Sequence, residues 1–228
     1  MLKEKIESES RKIAEHFGQF WPQYTDINFD KTFSLRNWAT TLASIVLQYN
    51  NDNEKNSNIA INNNSINNEE NNNYKKLLET IFNNKKILHI GCGYGYFLEV
   101  VKSLKGIPYG IEPYCSFPSG LDIFKGKIED LQDNNSELTR SLADKKFDVI
   151  VAHDLFVSSI MISKEHTNEI IGSLKKYLEN NGIIVFENQN EETLLDGDNI
   201  EKLGFKVEVV ESIVNPYGKS CTQTIIRI

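Results

Sequence analysis

The stretch Lys85 to Glu112 holds the residues whose types and spacing most clearly suggest chemistry. Gly91, Cys92, Gly93, Tyr94 and Gly95 interrupt an apolar run, and Glu112 stands about 17 residues beyond the last of these glycines. Glycines at such a turn leave backbone bare for a ligand to approach, and the N-terminus of a following helix adds unpaired N–H donors. An acid at the tip of the next strand can accept both hydroxyls of a ribose. A nucleoside-bearing ligand is therefore expected. A second pair, His153 and Asp154, follows the apolar run FDVIVA abruptly. Ligands of open α/β sheets bind at that edge, and a histidine titrating near neutrality suits removal of a proton from oxygen or nitrogen. The aromatic residues Phe17, Phe20, Trp21, Tyr24 and Trp38 are of the kind that wall a flat apolar pocket, or fill the core of their own segment.

These residues need particular elements to position them. Lys86–Ile90 reads as a strand, and Phe97, Leu98, Val100, Val101 and Leu104 repeat at helical spacing. Ile107–Ile111 reads as a second strand ending at Glu112. The dinucleotide fingerprint requires its third glycine at position 96, which is Tyr96, and no Gly-Lys-Ser/Thr follows to make a P-loop. Further along, a loop is expected over PYCSFPSG, a strand near Leu121–Lys125 and a helix over Ser136–Asp144. Phe147–Ala152 reads as a buried strand of a parallel sheet. A long helix is predicted from Ser163 to Asn180, capped by Asn181-Gly182, before a strand at Ile183–Phe186. Phe205–Ile213 and Cys221–Ile228 read as a closing antiparallel pair. This alternation predicts an α/β doubly wound sheet.

Upstream, Ile6, Ile13, Ala14, Phe17 and Trp21 predict an amphipathic helix. Leu35, Trp38, Ala39, Leu42, Ile45, Val46 and Tyr49 form the apolar face of a second helix over Ser34–Tyr49. More than half of Asn50–Asn73 is asparagine, a poor helix former, and the stretch offers few apolar groups to offset ordering entropy. The expected organisation is a helical cap or lid at 1–49, a flexible insert at 50–73, and a ligand-binding domain at 74–228, preceded by a helix over Tyr74–Phe82.

GCGYG followed by Glu112 resembles motif I and the acidic site of class I S-adenosylmethionine-dependent methyltransferases. GKIEDL, FDVIVAHDLF, LKKYLENNGIIVFEN and LGFKVEVVES resemble later segments of that superfamily, so the likeness covers about residues 85 to 228. It implies a Rossmann-like seven-stranded sheet of order 3-2-1-4-5-7-6 with the seventh strand antiparallel. It implies S-adenosylmethionine as cofactor, held by Gly91, Cys92, Gly93, Gly95 and Glu112, with Ile128 and Glu129 beside the adenine. His89 stands where the family carries an acid near the methionine amine, and Lys127 where it often carries Asp. His153 and Asp154 fall where the fourth strand exits over the methyl group. Asp154 with Glu187 and Asn188 also parallels the magnesium ligands of catechol-type members, although Glu replaces the usual Asp. Asn215-Pro216-Tyr217 parallels a DNA amino-methyltransferase motif but lies too late in the chain, where a turn is expected.

A net charge of -7 without a basic stripe argues against nucleic acid as partner. Three widely spaced cysteines fit a reducing compartment, and no apolar run approaches the ~18 residues of a membrane span. The expectation is a soluble, cytoplasmic enzyme that methylates oxygen or nitrogen of a small molecule. The alternatives are a non-catalytic methyltransferase-like binding protein, or an enzyme acting on protein or peptide.

Overall fold

The structure, a computed structural model, describes residues 2–20, 38–49, 68–114, 120–157, 163–189, 194–216, 218 and 220–228. Its strands are β1 (Lys86–Ile90), β2 (Ile107–Ile111), β3 (Asp122–Phe124), β4 (Phe147–His153), β5 (Leu178–Asn188), β6 (Lys206–Val214) and β7 (Ser220–Arg227). They form one sheet in the order β3-β2-β1-β4-β5-β7-β6. β7 runs antiparallel to both its neighbours and the other pairings are parallel. This is the order and strand sense that the resemblance implies.

Side chains alternate across a strand, so each central strand feeds two cores. Ile87, Val149, Val151, Ile183 and Val185 face one layer; Leu88, Ile90, Ile150, Ala152, Ile184 and Phe186 face the other. Helices α1 (Leu2–Phe20), α2 (38–49), α3 (Asn68–Phe82) and α4 (Tyr96–Ser103) contribute to the first layer. A 3₁₀ segment at Ile128–Gln132 and helices α5 (Glu137–Ser141), α6 (Lys164–Leu174) and α7 (Gly197–Lys202) contribute to the second. Helix α2 is buried on every side, with Ala39 through Val46 at most 1% exposed. A helix enclosed in this way is part of the core rather than a surface layer. Helix α1 is tied down as well: Val214 N–H donates to Glu7 Oε1 at 2.8 Å, and the Tyr74 hydroxyl donates to Glu9 Oε1 at 2.6 Å.

Several boundaries differ from the sequence reading. Helix α3 begins at Asn68, six residues before the expected Tyr74, so the end of the asparagine-rich stretch is helical; residues 50–67 lie outside those described. The helix expected over Ser163–Asn180 ends at Leu174 and passes through a 3₁₀ turn at Lys175–Tyr177. Tyr177 and Leu178 are buried, which draws the chain inward, and β5 starts at Leu178 paired with Phe147. Asn181-Gly182 is therefore no helix cap. It belongs to a bulge, since Leu178 and Ile183 pair with Phe147 and Val149. Helix α7, which the sequence reading omits, is capped by Asp196 accepting from Asn199 N–H. Asn215 forms the expected turn, its carbonyl accepting from Gly218 N–H at 2.9 Å. Among the described residues, no helix is long and apolar enough to cross a membrane.

Candidate active site

The glycine turn sits between β1 and α4 and is fastened to the exit of β2. Gly91 and Cys92 N–H groups both donate to the Ile111 carbonyl, at 2.9 and 3.1 Å. Gly93 N–H donates to Glu112 Oε2 at 3.0 Å, and Tyr114 N–H donates to Oε1 at the same distance. Glu112 is thus oriented beside the turn, with lone pairs left for further donors. Gly91 and Gly93 have φ of 69° and 53°, and among the described residues nothing lies within 4 Å of where a Cβ would stand on either. Gly95 differs: a Cβ there would meet Leu121 Cδ1 at 2.7 Å, so this glycine serves packing.

A row of polar side chains crosses the same edge of the sheet. His89, His153, Glu187 and Gln223 occupy β1, β4, β5 and β7, which are successive neighbours. His153 is in register with Glu187, and Glu187 with Gln223. Strand periodicity places them on the face that carries Ile87, Val151 and Val185, beneath α2. His153 Nδ1 and His89 Nε2 are 3.0 Å apart. His153 Nε2 lies 2.8 Å from Thr41 Oγ1, which is 3.2 Å from Glu187 Oε2. Thr40 also donates to Oε2, at 2.6 Å, as does the Gln223 amide, whose Oε1 accepts from Ser44.

Burial sets the charge states. Desolvation raises the Glu187 carboxyl to about 7 and outweighs hydrogen bonds from Thr40, Gln223 and Thr41; the Asp154 charge raises it further. Desolvation lowers His153 to about 4. His89, 6% exposed, is pushed well down by desolvation and then by His153. Both imidazoles are therefore neutral near pH 7, and the carboxyl is poised there.

The remaining predicted residues are placed as follows. Asp154 has a left-handed φ of 49°; its N–H donates to the Glu187 carbonyl, and its Oδ1 accepts from Gln189 N–H at 2.6 Å. It braces the exits of β4 and β5. Of the oxygens in the magnesium parallel, Glu187 Oε2 is engaged by Thr40, Thr41 and Gln223, and Asp154 Oδ1 by Gln189 N–H. The Ile128 side chain is buried in the second core, Lys127 is exposed and Glu129 half-buried. Trp38 is 2% exposed and packs in the first core. The Phe17 backbone belongs to α1, whereas Trp21 and Tyr24 lie outside the described residues. Thr40, Thr41 and Gln223 were missed by sequence reasoning. The available signal was the period-2 alignment of His89, His153 and Glu187, together with hydroxyl residues inside an apolar helix. Tyr94 and Tyr114, 57% and 80% exposed beside the turn, were missed too.

Residues 66–209, more than half of the chain, match the family model for a methyltransferase domain. The chain belongs to this family, within the class I S-adenosylmethionine-dependent methyltransferases. S-adenosylmethionine is the cofactor of the class. The site fits it: Gly91 and Gly93 form an open cradle, flanked by the oriented carboxylate of Glu112. No curated protein matches the sequence. Solved structures of similar fold include a SAM-dependent methyltransferase from Archaeoglobus fulgidus, 16% identical with a TM-score of 0.48, over 68% of this chain and 94% of that one. A TehB-like SAM-dependent methyltransferase from Corynebacterium glutamicum is 15% identical with a TM-score of 0.48, over 82% and 97%. The CcbJ methyltransferase from Streptomyces caelestis is 10% identical with a TM-score of 0.49, over 66% and 86%.

Proposed function

We propose that this chain transfers a methyl group from S-adenosylmethionine to an oxygen or nitrogen atom of a small molecule. When bound, the cofactor supplies a methyl group already activated on a sulfonium. Gly91 and Gly93 admit its amino-acid end to the backbone, and Glu112 accepts the ribose hydroxyls. What remains for the protein is alignment and removal of the proton that a neutral O–H or N–H acceptor must lose. The observation that carries the choice of acceptor is the neutral pair His89 and His153, joined through Thr41 to a carboxyl titrating near 7. The carboxyl titrating near 7 can take up, through the two histidines, a proton released at neutral pH, which methylation of a thioether or a tertiary amine would not require. A small acceptor is favoured by α2, which closes the apolar face over this row. The net charge of -7 weighs against nucleic acid.

Incubation with methyl-labelled S-adenosylmethionine and mixtures of phenols, alcohols, amines, thiols and peptides tests the reading. Label recovered on oxygen or nitrogen of a small molecule is expected. Label recovered only in peptides or on sulfur would contradict it.

A further inference from the structure

We propose that Glu187 is the terminal proton acceptor of a buried relay that enters at His89 Nδ1 and runs through His153 and Thr41. The proposal rests on the functional reading above, because the proton it accepts is the one lost by the methyl acceptor. Its geometry is independent of that reading.

Every interior link is within hydrogen-bond distance: 3.0 Å from His89 Nε2 to His153 Nδ1, 2.8 Å from His153 Nε2 to Thr41 Oγ1, and 3.2 Å from Thr41 Oγ1 to Glu187 Oε2. The outer end is open, and at the inner end Glu187 Oε1 is likewise buried without a hydrogen-bond partner among the described residues. His89 Nδ1 is buried and has no hydrogen-bond partner among the described residues, two positions before Gly91. Such an orphan is costly unless something binds to it. The chain of donors has two consistent polarities. With Glu187 ionised, Thr41 donates to Glu187, His153 Nε2–H donates to Thr41, His89 Nε2–H donates to His153 Nδ1, and His89 Nδ1 holds a bare lone pair. A proton arriving at His89 Nδ1 moves the Nε2 proton of His89 onto His153 Nδ1. The Nε2 proton of His153 passes to Thr41, and the Thr41 hydroxyl proton passes to Glu187. One proton enters and one is held on the carboxyl. Both imidazoles end as neutral Nδ1–H tautomers, and no bond other than N–H or O–H changes.

The surroundings suit the end point. Groups facing Glu187 are Thr40 and Thr41 from α2, Gln223 and Cys221 from β7, and Asp154 beyond β4; after desolvation, the Asp154 charge raises the carboxyl further, and the Cys221 thiol is raised by desolvation first and then by Glu187. No described cation is among them. The carboxyl titrating near 7 can take a proton and release it within one turnover, while imidazoles held below their usual range pass it without storing charge. Thr41 lies on α2, outside the segment that matches the family.

The test is ¹⁵N and ¹³C NMR of the full chain, reading the tautomers of His89 and His153 and the Glu187 carboxyl from about pH 9 to pH 5. Both histidines should switch together from Nε2–H to Nδ1–H as Glu187 gains its proton, with one midpoint and neither becoming imidazolium. Thr41→Val should uncouple the histidines from Glu187, and Thr41→Ser should restore the coupling. Glu187→Gln should hold both histidines as Nδ1–H throughout. Tautomers that do not change in the wild-type chain would overturn the relay, as would a switch that persists in Thr41→Val or in Glu187→Gln. Calorimetric binding of S-adenosylhomocysteine reports separately on the cofactor site, so loss of that binding with an intact tautomer switch would count against the functional reading alone.

Discussion

At the scale of the residue, Glu187 is the group whose environment departs most usefully from water. Its folded value of about 7 lies above the ordinary 4.5, so folding favours the protonated form. The stability this contributes is complete below about pH 4.5 and is lost as pH rises through about 7. Glu187→Gln keeps the neutral shape without the titration. The variant should therefore gain stability relative to wild type between about pH 4.5 and 7, by on the order of 3 kcal/mol, and hold that gain at higher pH. Urea melts at several pH values measure it; a difference independent of pH would contradict the assignment. His153 works in the other direction. Its folded value of about 4 lies below 6.5, so the stability linked to it is present above about 6.5 and lost as pH falls toward 4. Residues that announce themselves locally were legible in the sequence: the glycines, Glu112, and the change of character at His153-Asp154. The row His89, His153, Glu187 and Gln223 was not, because it exists only once four strands take their register and Thr41 arrives from a helix more than a hundred residues away.

At the scale of the element, β2 supports the ligand turn from below. A Cβ at Gly110 would meet Cys92 Sγ at 2.5 Å and Leu98 Cδ1 at 2.9 Å. Cys92 belongs to the turn and Leu98 to α4, so added bulk in β2 must displace both. Gly110→Ala should cost about 1–3 kcal/mol of stability and also weaken S-adenosylhomocysteine binding, measured by thermal melting and calorimetry on the same protein. Normal affinity alongside a lower melting temperature would separate the turn from the strand. Strand existence and order followed from apolar runs and the family likeness. Boundaries failed where a tertiary contact overrides local pattern. The helical periodicity after Ser163 stops at Leu174 because burial of Tyr177 and Leu178 starts β5 early. The short helix α7 rests on an Asp196 cap and one buried residue, Ile200, too little signal for periodicity to reveal.

At the scale of the whole molecule, the N-terminal segment is integral to the fold. Helix α2 fills the first core with Leu42, Ile45 and Val46 and supplies the hydroxyls that meet Glu187 and His153. A chain beginning at Asn50 should fail to fold cooperatively, since it would expose the apolar face of β1, β4 and β5 and leave Glu187 without its donors. Replacing 50–67 with a Gly/Ser linker should change the melting temperature little, given how few apolar side chains that stretch contains. The opposite pair of outcomes would reverse this division of the chain. The claim on which the rest depends is that S-adenosylmethionine binds over Gly91 and Gly93 with its ribose on Glu112. Titration calorimetry of S-adenosylhomocysteine into wild type, Gly93→Val and Glu112→Ala tests it most directly. Saturable one-to-one binding is predicted for wild type, none for Gly93→Val because its side chain would occupy the open cradle, and a loss of about 1–3 kcal/mol for Glu112→Ala. Equal binding by all three proteins, each shown to be folded, would contradict the account.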